Sequence, residues 1–161
     1  GKDLLVIEAG RNGRETARLA GAFGARPSFA GRGADLTGLL ARAEIVSLHV
    51  PLTDTTRHLI DAPALAAMRD SAVLVNVARG PVVDERALVD ALQAGAIAGA
   101  ALDVFEREPE VEEGLLSLEN VVMTPHLGSA TRATRVSMGM LCVDALRAVL
   151  LERRRPANAV G

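Results

Sequence analysis

Three short stretches in the second half of this chain carry side chains that could do chemistry together. Arg79 stands in Asn76-Val77-Ala78-Arg79-Gly80, Glu108 in Asp103-Val104-Phe105-Glu106-Arg107-Glu108-Pro109, and His126 in Thr124-Pro125-His126-Leu127-Gly128. A guanidinium offers a planar fork that matches a carboxylate and fixes its orientation. An imidazole exchanges its proton near neutral pH, and a carboxylate on its other ring nitrogen sets the tautomer and favours the imidazolium. Such a trio could hold a 2-oxo acid and protonate its carbonyl oxygen while hydride reaches the carbonyl carbon. Each member also has a plainer reading by itself. Arg79 could serve a surface ion pair, Glu108 belongs to an acidic stretch with Glu106, Glu110, Glu112 and Glu113, and His126 could cap a strand. His49 and His58 read as structural.

All three follow short aliphatic runs, so strand ends must position them. Aliphatic runs alternate with longer amphipathic ones along the chain, the pattern of repeated strand–helix units. Strands are expected at Leu4–Ile7, weakly near Arg26–Phe29, then at 45–50, 72–77, 97–102 and 121–123. A helix through Ala17, Ala20 and Phe23 is expected to stop at Gly24. Further helices are expected around Leu36–Leu40, from Pro63 to Met68, and from Asp84, with Asp84 as cap and Gly95 as stop. A long helix is expected from about Thr131, with Val136, Met140, Val143 and Leu150 at helical spacing. The whole of 1–161 reads as one α/β domain, a doubly wound parallel sheet. Parallel strands deliver their C-terminal ends to one sheet edge, where ligands bind in such folds.

Composition supports this architecture and excludes others. The 161 residues are 49% hydrophobic but only 2% aromatic, with three Phe, no Tyr and no Trp. An aliphatic core of this kind suits a buried parallel sheet. A net charge of −2 without a basic face argues against nucleic acid as a partner. No apolar run is long enough for a membrane span. The single cysteine, Cys142, forms no internal disulfide, fits a reducing, cytoplasmic setting, and reads as a small core residue of the last helix.

Gly10 and Gly13 lie between the first strand and the first helix, as the last two glycines of a G-x-G-x-x-G pattern do. There the second glycine lets the main chain approach a pyrophosphate, and the third packs helix on strand. Glu8 occupies the first glycine's place. A carboxylate about 4 Å from a phosphate charge costs roughly 4 kcal/mol at an effective dielectric near 20. Glu8→Gly is therefore expected to strengthen cofactor binding. About twenty residues beyond the turn an NAD site carries an Asp or Glu for the adenosine ribose. This chain has Gly31-Arg32 there, and an arginine can accommodate a 2′-phosphate, so NAD or NADP are both open.

Four ordered motifs then carry a resemblance. They are His49-Val50-Pro51-Leu52-Thr53, Asn76-Val77-Ala78-Arg79-Gly80, Ala101-Leu102-Asp103-Val104-Phe105 with Glu108-Pro109, and Thr124-Pro125-His126-Leu127-Gly128-Ser129-Ala130-Thr131. In order and approximate spacing they resemble the cofactor-binding domain of the NAD(P)-dependent D-2-hydroxyacid dehydrogenases. Gly31-Arg32 and the Gly128–Thr131 ending look most like the glyoxylate/hydroxypyruvate reductase branch.

The resemblance implies that Arg79 grips the substrate, His126 is the acid–base and Glu108 orients it. It implies that Asp103 meets the nicotinamide end and that Gly10, Arg11, Asn12 and Gly13 meet the pyrophosphate. Pro51, Thr56, Val77, Ala78 and Gly128 would form the neighbouring surfaces, with Arg32 at the ribose. It also implies a homodimer and a second, substrate-binding lobe supplied outside these residues. Without that lobe the chain is expected to bind cofactor weakly and turn over little 2-oxo acid. The family further has a helix and strand where this chain has only Gly31–Asp35, so one edge strand is expected to be missing. A non-catalytic dinucleotide-binding or dimerisation module, or an inactive remnant, is the alternative.

Overall fold

Leu4, Leu5, Val6 and Ile7 are consecutive apolar residues, the signature of a strand covered on both faces. In the computed structural model, which describes residues 1–159, all four are 4% exposed or less and form most of β1 (Asp3–Ile7). The chain then runs through α1 (Arg11–Ala22), β2 (Arg26–Ala30), α2 (Leu36–Leu40), β3 (Ile45–Leu48), α3 (Ala62–Ala66) and β4 (Val73–Asn76). A 3₁₀ turn over Gly80–Val82 leads to α4 (Glu85–Gln93), β5 (Gly99–Leu102), α5 (Glu113–Leu116), β6 (Val121–Met123) and α6 (Arg132–Leu150).

The six strands form one parallel sheet in the order β2-β1-β3-β4-β5-β6. This is the expected doubly wound α/β architecture. The order reverses beside β1, because β2 joins one side of it and β3 the other. Such a reversal opens a crevice beyond the strand ends. Strand β2 is the outer strand on that side, carrying Pro27, which an edge tolerates. The Gly31–Asp35 link after it forms no strand.

Short polar residues start the helices. Asp35, Asp61, Asp84 and Thr131 each accept a main-chain N–H three residues ahead, at 2.9–3.2 Å. Each such cap is worth about 1 kcal/mol. The core is aliphatic: Leu5, Leu48, Leu74, Leu88, Ile97 and Leu115 are fully buried, and each contributes roughly 1.5–3 kcal/mol.

The chain divides into two compact units, Gly1–Pro125 and His126–Gly161. All six strands belong to the first. In the second, His126 adopts a left-handed φ of 53°, Thr131 caps α6, and Arg147 and Arg154 pair with Glu152 at the other end.

Helix α1 ends at Ala22 with Phe23, 93% exposed, as its cap, and Gly24 follows at φ 85°, the stop expected there. One expectation, the placing of Cys142, needs correction. Val136, Met140, Val143 and Leu150 are all more than half exposed. Helix α6 is apolar around much of its circumference, so helical spacing of apolar residues does not single out one buried face. Cys142 is exposed on that helix for the same reason, and is not a core residue. Among the described residues no helix is long and apolar enough to cross a membrane.

Candidate functional site

Beyond the ends of β1, β2 and β3 lies a cleft of about 650 Å³, at the reversal of strand order. Its walls include Ile7 and Glu8 at the end of β1, Ala30 to Ala34 at the end of β2, and Val50, Pro51, Thr53, Thr55, Thr56 and Leu59 after β3. The volume lies within the range of small-molecule and cofactor sites. Of the residues singled out from sequence, Glu8, Arg32, Pro51 and Thr56 are among those that line this cleft.

Gly10, Arg11, Asn12 and Gly13 form the start of α1 directly after this wall. No side chain caps that helix, so its first N–H groups remain an anion-binding end. Gly13 is buried, and a Cβ there would lie 2.3 Å from the Glu8 carbonyl oxygen. Helix and strand meet there as the third glycine of the pattern requires. Glu8 is in the left-handed region at φ 79°, a conformation that favours glycine. The residue at odds with the motif is thus also at odds with its own backbone.

Thr56 organises the loop after β3. Its hydroxyl donates to Pro51 O at 2.6 Å and accepts from Thr53 N at 2.8 Å. His49 lies beside Ser47 with its Nε2 3.0 Å from the hydroxyl, and burial pushes its pKa down.

The next two strands bear the groups suited to reaction. After β4, Asn76 is 1% exposed and holds the Val77–Arg79 turn from both sides: its Nδ2 donates to Arg79 O at 3.0 Å, and its Oδ1 accepts from Ala78 N at 3.1 Å. Ala78 is buried, Val77 is half exposed, and Arg79 Nη1 donates to Ala78 O at 2.6 Å. A guanidinium has four further N–H donors to offer. After β5, Asp103 Oδ1 accepts from Thr124 Oγ1 at 2.6 Å, and Glu108 Oε1 accepts from Phe105 N at 3.0 Å.

A close contact joins these two segments. A Cβ on Gly80 would fall 1.9 Å from the Phe105 carbonyl and 2.4 Å from Glu106 N. The turn after Arg79 therefore rests directly on the main chain of the loop that carries Glu108. Buried Glu85 reinforces the contact, accepting from Glu106 N at 2.6 Å. Burial pushes the Glu85 pKa up, partly opposed by that N–H, with the Glu106 carboxylate raising it further. Glu106 Oε1 in turn meets His58 Nε2 at 2.7 Å, and His58 Nδ1 lies 3.9 Å from Asp84.

Sequence reasoning missed Glu85, Glu106 and His58 as parts of this support. Glu106 reads as one of an acidic stretch, and Glu85 carries no signal of its own beside the cap at Asp84. Only their distance in space from His58 and Phe105 reveals the link. His126 and Gly128 open the second unit, where Ala130 N donates to Leu127 O at 2.9 Å. Among the described residues no cluster of His, Cys, Asp or Glu could hold a metal ion.

Comparison with known proteins gives consistent matches. The profile described as "D-isomer specific 2-hydroxyacid dehydrogenase, NAD binding domain" matches residues 1–128. A glyoxylate reductase of Aeropyrum pernix is 43% identical across 100% of this chain and 52% of its own length. A glyoxylate/hydroxypyruvate reductase B of Escherichia fergusonii is 51% identical over 78% of this chain and 39% of its own. A Thermus thermophilus protein of solved structure superposes with a TM-score of 0.94 at 43% identity, covering 100% of this chain and 54% of that one. The NADPH-dependent glyoxylate/hydroxypyruvate reductase of Sinorhizobium meliloti, solved with NADP and malonate, gives 0.87 at 37% identity, over 99% and 56%. The chain thus spans about half, or less, of the length of these relatives.

Proposed function

This chain belongs to the D-isomer specific 2-hydroxyacid dehydrogenase family through its NAD-binding domain, and from that premise we propose that its 161 residues serve as the cofactor-binding part of a 2-oxo acid reductase. The substrate class proposed is a small 2-oxo acid such as glyoxylate or hydroxypyruvate, with the corresponding D-2-hydroxy acid as product. One observation carries the reading. A cleft at the reversal of strand order lies on the same sheet edge as the Arg79 turn and the Glu108 loop, which Gly80 packs together.

The residues present suit a dinucleotide. The uncapped start of α1, with open space at Gly10 and close packing at Gly13, offers a pyrophosphate main-chain N–H groups and a partial positive charge. Arg11 and Asn12 would flank it. Arg32, Pro51 and Thr56 would meet the adenosine side, and Val77, Ala78, Asp103 and Gly128 the nicotinamide side. When bound, the reduced nicotinamide supplies hydride.

The rest falls to this chain's own groups. The Arg79 fork takes the substrate carboxylate and carbonyl and fixes the orientation of the carbon to be reduced. The roles proposed for the other two are proton donor to the carbonyl oxygen for His126 and supporting carboxylate for Glu108. The proposal includes a homodimer, a cytoplasmic setting and a partner lobe that closes the cleft. Exposed apolar side chains on α6 support an assembly, and the unpaired thiol of Cys142 supports a reducing compartment.

Titration of the chain with NADH and NADPH, followed by coenzyme fluorescence, tests the reading. Saturable binding of at least one coenzyme is expected, and binding of neither would refute it. In an enzyme assembled with the partner lobe, His126→Ala should leave coenzyme affinity intact and abolish turnover. Glu8 favours a second reading, an inactive remnant of the fold, since it brings a carboxylate to the cleft wall. Turnover by the assembled enzyme separates the two.

A further inference from the structure

We propose that Glu8 decides which coenzyme this cleft accepts, by supplying from the end of β1 the ribose acceptor that is missing at the end of β2. The inference rests on the dinucleotide reading above and goes beyond it.

Registration of the sheet places Glu8 where this requires. Strand β1 pairs with β2 so that Ile7 faces Ala30, and Glu8 N donates to Ala30 O at 2.9 Å. Glu8 therefore lies beside Gly31, the first residue beyond β2. In doubly wound dinucleotide sites a carboxylate just beyond β2 accepts hydrogen bonds from the adenosine ribose. This chain has Gly31-Arg32 at that point, and the neighbouring strand end carries the carboxylate instead. Both Glu8 and Arg32 line the cleft, and neither side chain has a hydrogen bond or ion pair among the described residues.

The two side chains ask for different ligands. A carboxylate accepts from the 2′- and 3′-hydroxyls of NADH and repels the 2′-phosphate of NADPH. A guanidinium attracts that phosphate. Their settings decide between them. Glu8 is half-buried in the wall and tied to the sheet through its own N–H. Arg32 is exposed in a short link between Gly31 and Gly33. Solvent and salt screen an exposed charge more than a partly buried one. The left-handed backbone at Glu8 is the kind of outlier that persists where a side chain has work at a site.

Direct titration of the 161-residue chain with NADH and with NADPH tests this, alongside Glu8→Gln, Glu8→Gly and Arg32→Ala. Glutamine keeps the size and removes the charge. Glycine suits the backbone, so at least one variant folds, which circular dichroism verifies. The unaltered chain should bind NADH at least tenfold more tightly than NADPH. Both Glu8 variants should shift that ratio at least tenfold toward NADPH, and Arg32→Ala should weaken NADPH alone. Preference of the unaltered chain for NADPH overturns the inference, as does a ratio that moves less than twofold in both Glu8 variants while both coenzymes bind. Folded proteins that bind neither coenzyme overturn the dinucleotide reading, and this inference with it.

Discussion

The cleft beyond β1–β3 and the segments beyond β4–β5 share one sheet edge and are built differently. The first is an open wall with a left-handed glutamate, an uncapped helix start and a threonine loop held by local hydrogen bonds. The second is over-determined. Asn76 holds its turn twice, Gly80 rests on the Phe105 main chain, and Glu85 and Glu106 bind across the gap. A nucleotide is gripped largely through main-chain groups spread over a long surface, which asks little precision of any one side chain. A guanidinium and a carboxylate that must meet one small substrate need placing to a fraction of an ångström, and rigid support supplies that.

If the contrast is right, the largest effects lie beyond β4. Gly80→Ala should cost about 3 kcal/mol or prevent folding, because the new methyl meets main chain that cannot yield. Gly10→Ala, with open space around it, should change stability by no more than about 1 kcal/mol. Urea unfolding of the pair reads the difference directly, and equal costs would break the comparison. Next, Asn76→Ala should cost about 2 kcal/mol, as it leaves buried main-chain groups unmatched. Thermal unfolding measures this.

Glu8→Gly goes the other way. Relief of the left-handed backbone should stabilise the chain by about 1 kcal/mol, seen as a raised urea midpoint at unchanged slope. The smallest effect is a pH dependence. The Glu85 pKa is raised in the folded chain, so the folded state keeps a proton that the unfolded state has already lost. Stability from this group therefore falls as pH rises from the ordinary glutamate range through the raised value, and is level above it. Glu85→Gln should flatten that slope while keeping an acceptor for Glu106 N. Unfolding midpoints at pH 4 to 8 provide the check, and an unaltered slope would locate the dependence in other groups.

Much of this was legible in the sequence, for physical reasons. Runs such as Leu4–Ile7 are apolar without alternation because both faces are covered, and that pattern alone implies a parallel sheet between helices. Asp84 could be read as a cap because the capping hydrogen bond is local. Glu8 could be flagged because a motif position demands a glycine, and its φ of 79° gives the reason. The tail of the chain was less legible: an apolar period in α6 says which residues are greasy, and nothing about what covers them. The apolar neighbours of Cys142 in sequence thus do not make it a core residue.

By itself, then, the order of residues determined the class of fold, the strand–helix alternation and the identities of Arg79, Glu108 and His126 as candidate chemistry. These follow from local preferences and spacing, which travel along the chain. Only the tertiary structure decided that Gly80 carries the Glu108 loop, that Glu85 and His58 serve Glu106, and that Glu8 stands beside Gly31. Those are contacts between residues 21 to 48 positions apart, set by strand register and packing, which no local pattern encodes.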